Sequence, residues 1–208
     1  MNKISVDTKR LRILIGLLGM LLPWLVVLVT WSWPESISIT YYSLFAVGLF
    51  MVILGSASLL LICYKGYDKG DDATATLAGI FGLMICFFPT KFPDNPELKA
   101  GIFQLPSTIN VFLHCIGAFG FFGLIAYMSF FRFTKTSGEV TTNKKIRNWI
   151  YRICGVGMIG SFLLMLLKLT PNHPDNLVWI VEMIALTFFG ISWLVKSGAV
   201  PLLHDKKK

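Results

Sequence analysis

Six long apolar blocks dominate this sequence and leave it few ways to fold. They run 13–32, 42–64, 74–90, 108–132, 148–168 and 177–196, each of 17 to 25 residues. A helix needs about 20 apolar residues to cross a hydrocarbon core of about 30 Å. Barrel strands alternate apolar and polar residues over about ten positions, whereas 44–63 is apolar on every side. A soluble bundle needs a polar stripe along most helices, and these blocks lack one. Only 14% of the residues are charged, against about 25% in an ordinary soluble domain. The expected fold is therefore all-α: a single polytopic membrane domain, 1–208, built as a six-helix transmembrane bundle.

The net charge of +8 follows from topology rather than from a nucleic-acid partner. Sixteen of the 19 Lys and Arg fall on one side of the bundle. Lys3, Lys9, Arg10 and Arg12 lie in the N-terminal arm, and Lys65 and Lys69 in the second connection. Arg132, Lys135, Lys144, Lys145, Arg147 and Arg152 surround the fourth connection. Lys196 and Lys206, Lys207 and Lys208 close the chain. Lys91, Lys99 and Lys168 fall on the other side. Cytoplasmic loops collect Lys and Arg, so both termini are expected in the cytoplasm and 91–107 outside. That outer loop carries Pro93, Pro96 and Pro106. The first block exceeds a signal-peptide apolar region, and no small-x-small cleavage site follows it. Membrane lipids are the expected partners; oligomeric state is left open.

Most apparent motifs have a plain structural reading. The four cysteines fall on four different helices with no CxxC spacing. The run Asp68-Lys69-Gly70-Asp71-Asp72 lacks the spacing and the terminal Glu of a calcium loop, and Asp72 reads as a helix cap, as do Ser107 and Asp175-Asn176. Arg147, Arg152 and Lys196 sit near helix ends, where they snorkel. No phosphate-binding glycine loop, HExxH or nucleophile elbow is present, so neither a metal nor a cofactor is expected. Gly117, Ala118, Gly120 and Gly123 are read as helix-packing positions, because small residues let backbones approach in lipid.

Two residues resist such readings. His114 lies about 9 Å inside the fourth block and Glu182 about 8 Å inside the sixth, at 1.5 Å per residue. An ionisable group at that depth is costly and marks a functional site by default. Ser36, Ser38, Tyr41 and Tyr42 enter at the same level from the first outer loop. Together these six residues form the candidate polar cluster, in an outer-leaflet cavity with His114 and Glu182 within hydrogen-bond or one-water reach.

The stretch from His114 through Gly117 and Ala118 to Phe122, with Glu182 and the following Gly190 and Trp193, resembles a known family. It is similar to the six-helix superfamily of damage-regulated autophagy modulators and yeast Sfk-type proteins, and closer to its bacterial members. Tyr127 is displaced by one position from that pattern, and Met183 stands where a Trp is usual. The resemblance implies an N-in, C-in bundle in the bacterial plasma membrane, tied to lipid organisation or remodelling without an established catalytic mechanism. Two other classes stay open from the residues alone. A membrane hydrolase would use Ser36 or Ser38 as nucleophile, His114 as base and Glu182 as orienter. A proton-coupled transporter would use Glu182 and His114 as a relay.

Overall fold

The computed structural model describes residues 7–92, 95, 97–136 and 138–203. Lys3, Pro93, Pro96, Lys206, Lys207 and Lys208 of the charge and loop reading lie outside them. The described residues are helical and contain no strand; one isolated bridge joins Ala100 to Leu105. Six helices follow one another: α1 (Thr8–Thr30), α2 (Val47–Ile62), α3 (Lys69–Phe87), α4 (Ser107–Tyr127), α5 (Thr142–Leu163) and α6 (Leu177–Ser197). A five-residue π-turn, Met128–Arg132, extends α4, and a 3-10 turn, Leu164–Leu169, extends α5. Each helix packs on its sequence neighbours, and α6 returns against α1, so the bundle closes as a ring. Five of the six are long and apolar enough to cross a membrane.

Helix α2 is the exception, and here the sequence reading needs correction. The block 42–64 was expected to be one helix, yet α2 has 16 residues, about 24 Å at 1.5 Å each. The polar segment ahead of it folds on itself instead. Ser38–Tyr42 forms a 3-10 turn in which the Thr40 hydroxyl donates to the Ile37 carbonyl at 2.5 Å. Ser43 is then extended at φ −84° and ψ 122° and accepts the Ala46 N–H on its hydroxyl.

Other ends shift because caps, not apolar runs, decide where helices begin. Asp7 accepts the N–H groups of Lys9 and Arg10 and starts α1 five residues before the expected 13. Asp68 accepts the Asp71 N–H and starts α3 at Lys69, not at 74. Asp72 is therefore not the cap: it lies in the first turn, where it accepts the Gly66 N–H and pairs with Lys65 at 3.3 Å. Thr141 caps α5, which begins at 142 rather than 148. Pro106 holds the N-cap position of α4, so Ser107 is a helical residue and no cap. Asn176 precedes α6 without a side-chain cap bond.

The helices meet over aromatic rings and small residues. Trp193 is fully buried, with Tyr64 and Phe133 edge-on to it at 5.0 and 5.2 Å. At the α2–α3 seam the backbones touch: a Cβ on Gly79 would stand 2.4 Å from the Ser58 carbonyl oxygen. A Cβ on Gly55 would meet nothing within 4 Å. Opposite signs are expected for one substitution. Gly55→Ala should raise stability by about 0.5–1 kcal/mol through helix propensity. Gly79→Ala should lower it by about 1–3 kcal/mol through overpacking. Thermal unfolding in detergent checks both, and two variants melting alike would mean that the seam yields freely.

Candidate functional site

The polar cluster is assembled from three places in the chain, and a serine stands at its centre. The first connection leaves α1 at Trp31, in the left-handed conformation at φ 51°. It then crosses to α6, where the Glu35 carbonyl accepts the Trp179 N–H at 2.9 Å. Trp24 and Trp33 set their rings edge-on against Trp179 at 6.1 and 4.8 Å. This anchoring brings the Ile37 N–H to Glu182 Oε2 at 2.5 Å and the Ser38 hydroxyl to Glu182 Oε1 at 3.0 Å. Ser38 Oγ lies 3.1 Å from His114 Nε2 as well.

His114 is buried in α4, and its Nδ1 lies 2.8 Å from the Phe88 carbonyl oxygen at the end of α3. That carbonyl is free because Pro89 follows. A residue before proline is pushed out of the helical region, and Phe88 is extended at φ −113° and ψ 94°. A carbonyl only accepts, so Nδ1 carries a hydrogen. The remaining hydrogens have two consistent placements. In one, a Glu182 carboxylic acid donates to Ser38, and Ser38 donates to a neutral His114. In the other, an imidazolium donates to Ser38, and Ser38 donates to a Glu182 carboxylate. Both satisfy every member, and they differ by the position of one proton across the serine hydroxyl.

His114 and Glu182 thus share no direct hydrogen bond; the Ser38 hydroxyl occupies the place expected for a water. The other candidates stand apart from this chain. Ser36 Oγ accepts the Ile39 N–H at 3.0 Å and shapes the turn. The Tyr42 hydroxyl donates to the Thr90 carbonyl at 2.6 Å and holds the loop to the end of α3. Tyr41 packs edge-on against the Tyr42 ring at 5.4 Å. Ile37, Phe88 and Thr90 contribute through their backbones, which sequence reasoning missed; Pro89 was the only signal for any of them.

A cavity of about 40 Å³ adjoins Glu182 and Ser38, walled by Leu22, Phe50, Phe121, Phe122 and Leu186. It has room for a water or two but none for an acyl group. No group of three His, Cys, Asp or Glu able to hold a metal occurs among the described residues. Of the packing positions, Gly117 lies on the α3–α4 seam, where a Cβ would stand 3.0 Å from the Phe81 carbonyl. A Cβ on Gly120 would meet the Phe81 ring at 2.6 Å, and Ala118 borders the small cavity. Gly123 is not at a seam: a Cβ there meets nothing within 4 Å. It lines instead an apolar groove of about 500 Å³ between α4 and α5. No family model, curated protein or solved structure matches the chain.

Proposed function

We propose that the chain is an integral membrane protein, a six-helix bundle with both termini cytoplasmic, that binds membrane lipid along α5. The observation that carries the reading is the groove lined by Gly123, Gly160, Ala126, Phe130, Val156 and Leu163. Gly123 and Gly160 face open space, and the walls are almost wholly apolar. Such a trough along helices long enough to span a bilayer fits an acyl chain. A second groove of about 540 Å³ lies on the other flank of α5 and shares Phe130 and Val156. Trp149 and Arg152 at its basic end suit a lipid headgroup, the one by its amphipathic ring and the other by its charge. Lipid organisation or remodelling, the role implied by the family resemblance, is compatible with these grooves; a bacterial plasma membrane is the compartment proposed.

Filling the groove tests the reading. Gly160→Leu should remove most of the phospholipid that co-purifies with the protein, read by native mass spectrometry, and leave the melting temperature nearly unchanged. Wild-type lipid content in this variant would refute the groove as a lipid site. The topology has its own test. In a Cys-free background, a cysteine at Val140 should resist an impermeant thiol reagent in intact cells, and one at Lys99 should react. Labelling at 140 without permeabilisation would reverse the orientation.

A proton relay is the second reading, favoured by the Glu182–Ser38–His114 chain and its two proton placements. The hydrolase reading has less support. In an acyl-transfer triad the carboxylate orients the histidine, whereas Glu182 binds the serine, and the adjoining cavity is too small for a substrate.

A further inference from the structure

A large cavity lies at the basic end of the bundle, far from the polar cluster. It holds about 590 Å³ and is lined mainly by polar atoms. Arg12 of α1, Lys144 and Arg147 of α5, Lys196 of α6 and Lys135 of the α4–α5 connection face it, with Glu139 as the single acidic lining residue among the described residues. Lys135 is engaged by Asp68 at 2.7 Å.

Arg12 and Lys196 pose a physical problem that packing does not solve. Neither has a carboxylate within ion-pair distance among the described residues. Yet Arg12 Nη1 donates to the carbonyl of Lys196 itself at 3.4 Å, and the buried Arg12 Nε has no hydrogen-bond partner among the described residues. The Lys196 ammonium is held over the Tyr67 and Phe133 rings at 4.8 and 5.1 Å and reaches the Phe133 carbonyl at 3.4 Å. Two half-buried cations side by side repel one another, and the repulsion grows as water is excluded. A multivalent anion in the cavity offsets it.

We propose that this cavity is a binding site for a phosphate monoester. The guanidinium fork of Arg12 and the ammonium groups of Lys144 and Lys196 converge from three helices, and such charge-assisted donors recognise phosphate oxygens. Tyr67 and Tyr151 on the walls leave apolar surface for the esterified organic part. The phosphate belongs either to a soluble ester or to a lipid headgroup with a terminal phosphate; the site chemistry is common to both. It is independent of the lipid groove on α5, whose variant Gly160→Leu should keep the response described next.

The full chain in phosphatidylcholine nanodiscs is titrated with glycerol 3-phosphate, against sodium chloride at matched ionic strength, and melting temperature is read. A saturable rise with glycerol 3-phosphate alone supports the site and a soluble ester as its source. A rise on adding phosphatidic acid to the nanodiscs, with no further rise from glycerol 3-phosphate, supports the site and the headgroup as its source. Arg12→Gln should weaken binding about tenfold or more, as expected for losing a charged hydrogen bond. Lys144→Gln should do the same at the cavity mouth if Arg12→Gln fails to fold. No rise in either arm beyond chloride, or wild-type responses in the folded variants, would overturn the proposal.

Discussion

Arg132→Leu is expected to destabilise the protein by about 3–5 kcal/mol, the range for stripping a buried carboxylate of its cation. Asp71, in the first turn of α3, is almost wholly buried, and its carboxylate is bound by the Arg132 guanidinium from the end of the π-turn. Among the described residues its other oxygen accepts only the Tyr67 N–H, at 3.0 Å. Without Arg132 the buried carboxyl group keeps one neutral donor. Adding Asp71→Asn should recover part of the loss, because the amide needs no cation. The coupling in the double-mutant cycle should reach about 2 kcal/mol. Asp68 is the control. It also binds Arg132, but it is exposed, and a hydrogen bond from Lys135, helped by the Asp71 N–H, holds its carboxyl down at about 2. It is a carboxylate throughout the neutral range, yet solvent screens it, so Lys135→Ala should leave the unfolding midpoint nearly unchanged. Denaturant unfolding in detergent measures all four variants against the wild type. A loss below about 1 kcal/mol for Arg132→Leu would mean that water reaches Asp71.

The helices were legible because they are long apolar runs, the pattern that spanning a membrane would require, and such runs survive any detail of packing. Their ends were less legible for the same reason. The first turn of α3 is Lys69-Gly70-Asp71-Asp72, polar throughout, so an apolar-run criterion passes over it; the signal was Asp68 three residues before Asp71. In the block 42–64 the run continued through Tyr42 and Ser43, but local hydroxyl bonds had already committed that backbone to a 3-10 turn. His114 and Glu182 stood out by charge in apolar surroundings, and Ser38 by its level. Which serine would stand between them depended on the Glu35–Trp179 splice, a backbone contact with no side-chain signature. The basic cavity was hidden by its own explanation. Cations at helix ends satisfy topology, and charge placement along a chain does not reveal that Arg12, Lys144 and Lys196 converge. The α1–α6 seam, where a Cβ on Gly190 would meet the Gly16 carbonyl at 2.8 Å, joins the two ends of the sequence and is invisible to local spacing.

Substitutions at Glu182 should divide sharply by chemistry. Glu182→Ala leaves the Ile37 N–H without its acceptor and the Ser38 hydroxyl without one of its two hydrogen-bond partners. Each unsatisfied buried group costs about 1–3 kcal/mol, so a loss of roughly 3 kcal/mol or more is expected, with the first connection loosened from α6. Glu182→Gln has the same shape. Its amide oxygen accepts the Ile37 N–H, its amide nitrogen donates to Ser38 Oγ, and Ser38 donates to His114 Nε2, reproducing the neutral placement of hydrogens bond for bond. Its stability should stay within about 1 kcal/mol of wild type. That pairing separates structure from transport, because an amide supplies the hydrogen bonds but releases no proton. In liposomes a relay would then be silenced in the stable Glu182→Gln protein, and likewise in Ser38→Ala, which cuts the chain between its ends. Proton flux that persists in a folded Glu182→Gln protein would end the relay reading and leave the cluster as the clasp that fastens the first connection across α4 and α6. Conversely, a Glu182→Gln protein as unstable as Glu182→Ala would show that the charged arrangement, imidazolium against carboxylate, is the one that holds the loop.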